Sequence, residues 1–386
     1  MKKSYYIAAS VVFIIISVCI FAFVPLTYPY EVTDVIPEFS VSPLPTSKSG
    51  TVCPALCAVI TDESGRILFE QNAHTRRGMA STTKIMTALL AIENSMPDRA
   101  VTIPKEACGI EGSSVYLSEG EILTMRELLY CLLLESGNDA AAAIAIELSG
   151  STQRFAELMN ERAAELGLTD THFANPHGLS DSEHYTTAYE LAVITAEAMK
   201  YPLFREIIAT KSCTVGGNGS RLRYLVNHNK LLWTNPDACG VKTGYTIADG
   251  KCLVGYAERD GLGLISVTLG DTSPTMTHTS FFEFGFGSYV PVAAEGVIRT
   301  EVVLQNSPVL CSAEGYCGSS FCIPTDSEMS VEIVPCTVYA PVNTGDTVAR
   351  AIYRCDGAIV YIIDLKSTSC ILPDRISIYQ KYFGEK

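Results

Sequence analysis

Three short segments of the chain contain side-chain types that could carry out acyl transfer at a serine. The first is Ser81-Thr82-Thr83-Lys84. If Ser81 opens a helix, the spacing places Lys84 one turn later on the same face. A serine hydroxyl is a weak nucleophile until a base removes its proton, and a lysine can act as that base only if burial or a second cation lowers its pKa. Lys84 is the only charged residue between Arg77 and Glu93, and its neighbours are apolar.

The start of a helix would also direct backbone N–H groups toward a developing oxyanion, which suits the same chemistry. A plainer interpretation is an N-cap serine followed by a solvated lysine. Taken alone, the four residues favour that plainer interpretation.

The second segment is Ser136-Gly137-Asn138 and the third is Lys242-Thr243-Gly244. In the second, the serine could relay a proton to a leaving group, and the asparagine amide could hold a substrate carbonyl. In the third, the lysine would supply positive charge, the threonine could bind a carboxylate, and Gly244 would leave room for an acyl group near the backbone. Plainer interpretations are a helix–helix turn and a turn at the start of a strand. Because each motif occurs once and in this order, the three together favour a single catalytic site.

These motifs resemble the penicillin-recognising serine enzymes, and their surroundings resemble one family among them, the low-molecular-mass penicillin-binding proteins that are serine-type D-alanyl-D-alanine carboxypeptidases. The resemblance runs from about residue 52 to 288 and is carried by four longer stretches: residues 79–88, 136–141, 175–192 and 242–246. It continues less specifically into the tail at residues 340–345.

The resemblance implies a role for each motif residue. Ser81 would be the acylated nucleophile, Lys84 its general base and Ser136 a proton shuttle. Asn138 would bind the substrate backbone, Lys242 would add electrostatic stabilisation, and Thr243 would hold the terminal carboxylate beside Gly244. The backbone N–H groups of Ser81 and Tyr245 would form the oxyanion hole.

The implied reaction removes the terminal D-Ala from peptidoglycan stem peptides ending in D-Ala-D-Ala, through an acyl-enzyme at Ser81. β-Lactams would be trapped as inhibitors at the same serine. No cofactor and no metal are expected, because the cysteines and the six histidines lack metal-ligand spacing. A Ser-His-Asp hydrolase is disfavoured, because no G-x-S-x-G surrounds a candidate serine.

One departure from the family pattern keeps two alternatives open. Many members have an arginine just before a Leu-Ile-Ser-Val stretch, where it helps to bind the substrate carboxylate, whereas this chain has Gly263 there. Carboxylate recognition would then depend on Thr243 and Thr246. The alternatives are a β-lactamase of the same fold and a β-lactam or wall sensor that is acylated without turnover. The β-lactamase is disfavoured, because no glutamate is well placed as a deacylation base, Glu157 being part of a predicted regular helix, and because of the extra β region; the missing arginine favours the sensor.

The segments that must position these residues predict an α+β fold of the β-lactamase/transpeptidase type, with helices packed on an antiparallel sheet. A hairpin is expected at residues 55–61 and 66–70, and strands at 251–257 and 262–269. Capping residues Thr124 and Thr187 predict helix starts, and further helices are expected at 81–92, 140–148 and 155–166. After about residue 290 the helical periodicity disappears, and a small all-β region is expected.

Composition and the chain ends complete the prediction. With 47% hydrophobic residues the chain is not disordered, and a net charge of −14 without a basic cluster excludes nucleic acid as a partner. Lys2 and Lys3 precede an uncharged run from residue 4 to 30, long enough to span a membrane. We expect a membrane anchor or signal peptide (1–30), a linker (31–50), a catalytic domain (51–289) and a β-rich domain (290–386). An N-terminal anchor would place the protein on the extracytoplasmic face of the bacterial cell membrane; the alternative is secretion after cleavage.

Overall fold

The computed structural model describes residues 53–372, apart from 218, 293–295, 306 and 318–320. Its central element is an antiparallel five-stranded sheet with the strand order β2-β1-β9-β8-β7. The strands are β1 (Cys57–Asp62), β2 (Ile67–Gln71), β7 (Ala238–Thr246), β8 (Gly250–Arg259) and β9 (Leu262–Asp271). The predicted hairpin and the β8–β9 pair are therefore confirmed. Because β1 pairs with β9, the sheet joins the beginning of the described region to a segment about 200 residues later.

Helices fill the chain between β2 and β7. They are α1 (Lys84–Asn94), α2 (Met125–Leu133), α3 (Asn138–Ser149), α4 (Thr152–Glu165), α5 (Ala188–Met199), α6 (Pro202–Ala209) and the short α7 (Leu231–Thr234). Two small hairpins interrupt them: β3 (Ala100–Thr102) with β4 (Ile122–Thr124), and β5 (Ser212–Gly217) with β6 (Ser220–Val226). The expected α+β architecture is confirmed.

The helix starts follow from local sequence. Thr124 and Glu127 form a complete capping box at the start of α2, and the Thr187 side chain accepts from the Glu190 backbone N–H at the start of α5. Helix α3 is rich in alanine and its first eight residues are buried, since small side chains let neighbouring helices approach it closely. It ends at Gly150, whose φ of 84° few other residues adopt.

Both faces of the central sheet are covered. In β8, Val254 packs into a core shared with the helices, whereas its neighbour Leu253 packs into a second core on the opposite face. Successive side chains of a strand point to opposite faces, so strands covered on both sides can bury consecutive residues: β8 buries the six from Cys252 to Ala257, and β9 buries nine of its ten residues.

The second face is covered partly by α8 (Pro274–Ser288), a helix that the sequence pattern did not predict. Glycines and phenylalanines are poor helix formers, and here tertiary packing overrides that preference. Phe281 and Phe282 are fully buried, and a Cβ on Gly285 would lie 2.4 Å from a methyl of Leu264, so the helix lies close to β9 only because that position is glycine.

The C-terminal region consists of strands alone among its described residues 289–372, which confirms the expected all-β character. A five-stranded sheet has the order β11-β12-β16-β15-β14, and β10 pairs with β13. The strands are β10 (Tyr289–Val292), β11 (Gly296–Val303), β12 (Leu310–Cys317), β13 (Phe321–Pro324), β14 (Met329–Pro335), β15 (Thr347–Cys355) and β16 (Ala358–Ser367). Cys311, Cys322 and Cys355 are buried free thiols, as small apolar residues would be.

The turn between β1 and β2 contacts this C-terminal region. The Arg66 guanidinium donates to the Cys322 carbonyl at 3.1 Å and to the Val360 carbonyl, and it lies 5.2 Å from the centroid of the Phe321 ring. Asp62 accepts from the Arg66 backbone N–H at 3.0 Å, which fixes the turn that presents the guanidinium.

The predicted anchor and linker, residues 1–50, lie outside the described residues. Within the described part of the chain, none of the helices has the length and apolar character needed to span a membrane.

The packing of α8 on β9 predicts a pH-dependent stability. His278 of α8 is fully buried; its Nδ1 lies 2.7 Å from Ser266 Oγ and its Nε2 3.0 Å from Thr268 Oγ1. Burial lowers its pKa from 6.5 to about 3. Below pH 6.5 the unfolded chain therefore binds a proton that the folded chain does not, so stability falls with pH, and this histidine alone should cost about 2 kcal/mol at pH 5.

Urea unfolding at pH 7.5, 6 and 5 measures this effect. In His278→Gln we expect a shallower decline of the unfolding free energy with falling pH than in the wild type. The exposed His74 provides the control: His74→Gln should retain the wild-type slope. An unchanged slope in His278→Gln would contradict the assignment.

Candidate active site

Ser81 lies in a 3₁₀ turn, Ala80–Thr83, that leads directly into α1. The sequence interpretation expected Ser81 to open the α-helix itself; instead the α-helix begins at Lys84. Ala80 has a φ of 47° and its N–H donates to the Asp249 carboxylate at 3.2 Å, so the turn is bent immediately before the serine. The spacing argument still holds, because Lys84 Nζ lies 2.9 Å from Ser81 Oγ.

Lys84 is completely buried, and its amine makes three polar contacts. Besides Ser81 Oγ, Nζ lies 2.7 Å from Asn138 Oδ1 and 2.5 Å from the backbone carbonyl of His177. A neutral amine has two N–H donors and one lone pair. Asn138 and His177 accept the two donors, which leaves the lone pair to accept the Ser81 hydroxyl proton.

Electrostatics favours this neutral form. Burial and then the positive charge of Lys242 hold the pKa of Lys84 well below its usual 10.5, against an opposing effect of the Asp139 carboxylate. No carboxylate of the described residues forms an ion pair with Lys84. Asp139 is instead committed to the preceding loop, where it accepts from the N–H groups of Val115 and Leu117 and from the Ser114 hydroxyl.

The second motif connects α2 to α3. Ser136 is buried in the left-handed region with a φ of 61°, and its hydroxyl has no hydrogen-bond partner in the described structure. Asn138 begins α3, and its side-chain amide donates to the Glu111 carbonyl at 2.6 Å. The amide is thereby oriented with its oxygen toward Lys84.

The third motif lies within β7 rather than in a turn before a strand. Lys242 is buried and donates to the Thr243 carbonyl at 2.9 Å, and burial lowers the pKa of Lys242 to about 7. A Cβ on Gly244 would lie 2.9 Å from the Ser81 backbone nitrogen and 3.1 Å from the Ala80 Cβ. The glycine therefore makes room for the nucleophile's own turn; because Gly244 also lines the cavity described below, the room it would leave for an acyl group stays a prediction.

A cavity of about 550 Å³ opens over these motifs. Ser81, Ser136, Thr243, Gly244 and Tyr245 line it. Lys84, Asn138 and Lys242 are buried and do not line the cavity. Lys84 contacts Ser81, Asn138 contacts Lys84, and Lys242 acts through its charge. The structure thus brings together all eight residues that the motifs singled out. Thr246, the suggested second carboxylate ligand, is not among the lining residues.

Several residues that shape the site were missed or underrated by sequence reasoning. His177 contributes its carbonyl rather than its ring. The next residue, Gly178, has a φ of 87°, and a Cβ at this position would lie 2.0 Å from the Ala80 carbonyl oxygen. His184 Nδ1 accepts from the Ala174 N–H at 3.0 Å, so its Nε2 donates to Thr83 Oγ1 at 2.7 Å. A histidine followed by a glycine in a loop was the only sequence signal for this support.

The sequence interpretation was wrong about position 263. Gly263 pairs with Glu258 at the far end of β9, and a Cβ there would meet Tyr256 Oη at 2.7 Å and the Glu63 carboxyl carbon at 2.8 Å. Thr243, by contrast, pairs with Leu253, five positions before Glu258. An extended strand rises about 3.3 Å per residue, so a side chain at position 263 points into a different environment from the cavity.

Comparison with known proteins agrees with this geometry. The sequence profile of the peptidase S11 family, D-alanyl-D-alanine carboxypeptidase, matches residues 46–273, more than half of the chain. The D-alanyl-D-alanine carboxypeptidase DacF of Bacillus subtilis is 35% identical over 240 residues, 60% of this chain and 61% of that relative. DacB2 of Mycobacterium tuberculosis, named likewise, is 37% identical over 236 residues, 60% of this chain and 78% of its own length.

The fold is shared with solved structures of the same group. Penicillin-binding protein 5 of Haemophilus influenzae superposes with a TM-score of 0.73 at 26% identity, covering 84% of this chain and 99% of that one. The chain spans about three fifths of the length of the Bacillus subtilis relative. The three motifs, the geometry that joins them and the matched profile lead to one conclusion: the chain belongs to the D-alanyl-D-alanine carboxypeptidase family.

Proposed function

We propose that the protein is a serine-type D-alanyl-D-alanine carboxypeptidase that removes the terminal D-Ala from peptidoglycan stem peptides and is acylated by β-lactams. The contact that carries this proposal is the 2.9 Å approach of the fully buried Lys84 Nζ to Ser81 Oγ. Burial and the charge of Lys242 hold the pKa of Lys84 well below its usual 10.5, which favours the neutral amine that can serve as a general base. The family to which the chain belongs supplies the substrate class.

In the proposed acylation step, Lys84 Nζ takes the Ser81 hydroxyl proton while Oγ attacks the carbonyl carbon of the penultimate D-Ala. The N–H groups of Ser81 and Tyr245 stabilise the oxyanion. Ser136, whose hydroxyl is unpartnered, passes a proton from Lys84 to the nitrogen of the leaving D-Ala as the C–N bond breaks. Water then hydrolyses the Ser81 ester in the reverse sense and regenerates the free hydroxyl and the stem peptide carboxylate.

The β-lactamase alternative is disfavoured by the position of Glu157. This residue lies on α4 and forms an exposed ion pair with Arg154 one turn earlier, so its carboxylate does not face Ser81. The sensor alternative, acylation without turnover, is separated from the enzyme by a single measurement, the release of D-alanine.

Ser81→Ala tests the nucleophile. We expect benzylpenicillin to add one penicilloyl group to the full-length wild type by intact mass, and to add none to Ser81→Ala, because the attacking oxygen is gone. The wild type should also release D-alanine from diacetyl-L-Lys-D-Ala-D-Ala.

The outcomes separate the candidate functions. An adduct at Ser81 without D-alanine release would indicate the sensor. Protein that carries no adduct, together with rapid hydrolysis of benzylpenicillin, would indicate the β-lactamase. The same adduct in wild type and Ser81→Ala would refute Ser81 as the nucleophile. An exposed serine outside the cavity, Ser118, supplies the matched control, and Ser118→Ala should react like the wild type.

Lys242→Gln tests the electrostatic arrangement. The acylation rate constant should rise with pH as Lys84 loses its proton and fall above about 7 as Lys242 loses its charge. Removing the cation relieves the repulsion that lowers the pKa of Lys84, so the acid limb should move to higher pH, and the alkaline limb should disappear.

Acylation by a fluorescent penicillin between pH 5 and 10 measures both limbs. Lys200→Gln is the control, because Lys200 is exposed and pairs with Glu197 on the surface. An acid limb that stays in place in Lys242→Gln would contradict the proposed coupling of the two lysines.

We also propose that residues 1–30 export the chain and hold it on the extracytoplasmic face of the membrane. The uncharged run after Lys2 and Lys3 supports this proposal. After expression in a bacterium, the full chain should stay in the membrane fraction through carbonate extraction, and a chain lacking residues 1–30 should not. Full release of an N-terminally shortened protein would instead indicate signal cleavage.

A further inference from the structure

The hairpin of β5 and β6 has an apolar outer face. Arg223 and Leu225 of β6 are buried, whereas the alternate residues Leu222, Tyr224 and Val226 are exposed. Successive side chains of a strand point to opposite faces, so these three form one row on the outside of the hairpin. Leu222 and Tyr224 expose 67% and 69% of their surface. A row of large, exposed apolar side chains marks a surface that binds something.

A groove of about 280 Å³ runs along this row. Its second wall is the loop between β3 and β4, from which the Tyr116 ring projects with 72% of its surface exposed. The groove therefore has an aromatic ring on each wall. Its lining also includes three side chains that can form hydrogen bonds: Ser114, Glu135 and Arg221.

The two aromatic walls are held in place before any ligand binds. Tyr116 has a φ of 57°, a conformation that bulky residues rarely adopt, and the Arg223 guanidinium donates to its carbonyl at 3.0 Å. Arg223 forms an ion pair with Glu121 at 2.6 Å, and both side chains are buried beneath the hairpin. On the other wall, the Tyr224 hydroxyl donates to Ser212 Oγ at 3.0 Å. A preformed groove loses little entropy when a ligand binds.

The groove adjoins the catalytic cavity. Ser113 lines the cavity, and the next residue, Ser114, lines the groove. Glu135 lines the groove, and its carboxylate lies 3.1 Å from Nε2 of His228, which lines the cavity. Ser136, the residue after Glu135, belongs to the cavity as well. A ligand in the groove would therefore lie beside a peptide bound at Ser81.

The groove has the chemistry of a carbohydrate site. A pyranose ring packs the C–H groups of its face on an aromatic ring, and the hydroxyl and acetamido groups at its rim need hydrogen-bond partners. Tyr116 and Tyr224 offer the rings, Glu135 an acceptor and Arg221 a donor. The half-buried Glu135 carboxylate disfavours a lipid surface as the occupant, because burying a carboxylate in lipid is costly.

The substrate class places a carbohydrate next to the cavity. Peptidoglycan stem peptides are attached to chains of alternating amino sugars. When the penultimate residue of a pentapeptide stem reaches Ser81, at most four residues separate it from the sugar, a fully extended length of about 14 Å. Glycan is therefore close to the cavity during each turnover.

We propose that the groove between Tyr116 and Tyr224 binds a peptidoglycan glycan chain and holds it beside the catalytic cavity. This inference rests on the proposed function and adds to it a second contact, with the polymer that carries the stem peptide.

Binding of a glycan without peptide tests the inference. The probe is a tetrasaccharide of alternating N-acetylglucosamine and N-acetylmuramic acid, titrated against the full-length protein by ligand-observed NMR. The wild type should bind it, and Tyr116→Ala and Tyr224→Ala should each weaken the binding about fivefold, through the loss of one aromatic contact. Tyr316→Ala is the matched control, because Tyr316 is equally exposed but lies on β12 of the C-terminal region; it should keep the wild-type affinity. Far-UV circular dichroism establishes that each variant is folded.

Three results would overturn the inference: no binding by the wild type, wild-type affinity in both groove variants, or the same loss in Tyr316→Ala. Self-association of the wild type that Tyr224→Ala abolishes and the tetrasaccharide leaves unchanged would assign the face to a second copy of the chain and would also overturn it. The probe contains no peptide bond to cleave, so the proposed activity is tested separately. Tetrasaccharide binding without D-alanine release would refute the carboxypeptidase and support the groove, whereas release without binding would do the reverse.

Discussion

The active site depends on the burial of one amine. Lys84 is enclosed by protein, contacts Ser81, Asn138 and the His177 carbonyl, and has no ion-pair partner among the described residues. A charged ammonium in such a place is expensive, and the protein resolves the conflict by favouring the neutral form. Burial would destabilise a charged lysine here, and for the same reason it makes the neutral Lys84 amine available as a base. The first two motifs contact that nitrogen through Ser81 and Asn138, and the third acts on it through the charge of Lys242.

Close approach of backbones makes the burial possible. Gly178 lies against the Ala80 carbonyl, and Gly244 lies against the Ser81 nitrogen, so two glycines let other segments pack closely on the turn that carries the nucleophile. Carboxylates then fix the flanking segments: Asp249 holds the Ala80 N–H, and Asp139 holds the loop before α3. Hydrogen bonds to backbone N–H groups hold these carboxylates out of an ion pair with Lys84, so the charge of Asp139 only partly offsets the effects of burial and of Lys242 on the pKa of Lys84.

The sequence was sufficient to predict features that depend on residues close together in the chain. The capping residues Thr124 and Thr187 located two helix starts, two strand-like stretches on either side of a turn located the β8–β9 hairpin, and motif spacing brought Ser81 and Lys84 together. Prediction failed where distant segments decide the outcome. Helix α8 forms against its propensity because β9 accepts Phe281 and Phe282, and the displacement of Gly263 from the cavity follows from sheet register, which a linear pattern does not contain.

Strand β7 lies at the edge of the central sheet in the described structure, and the third motif is part of it. The outer side of an edge strand offers main-chain donors and acceptors that any extended chain can match, whatever its side chains. A guest strand aligned on β7 would be recognised through its amides, which all peptides share. Strand pairing on β7 alone would therefore not distinguish one extended peptide from another, and selectivity has to come from the contacts that the cavity makes with the side chains and the end of the guest.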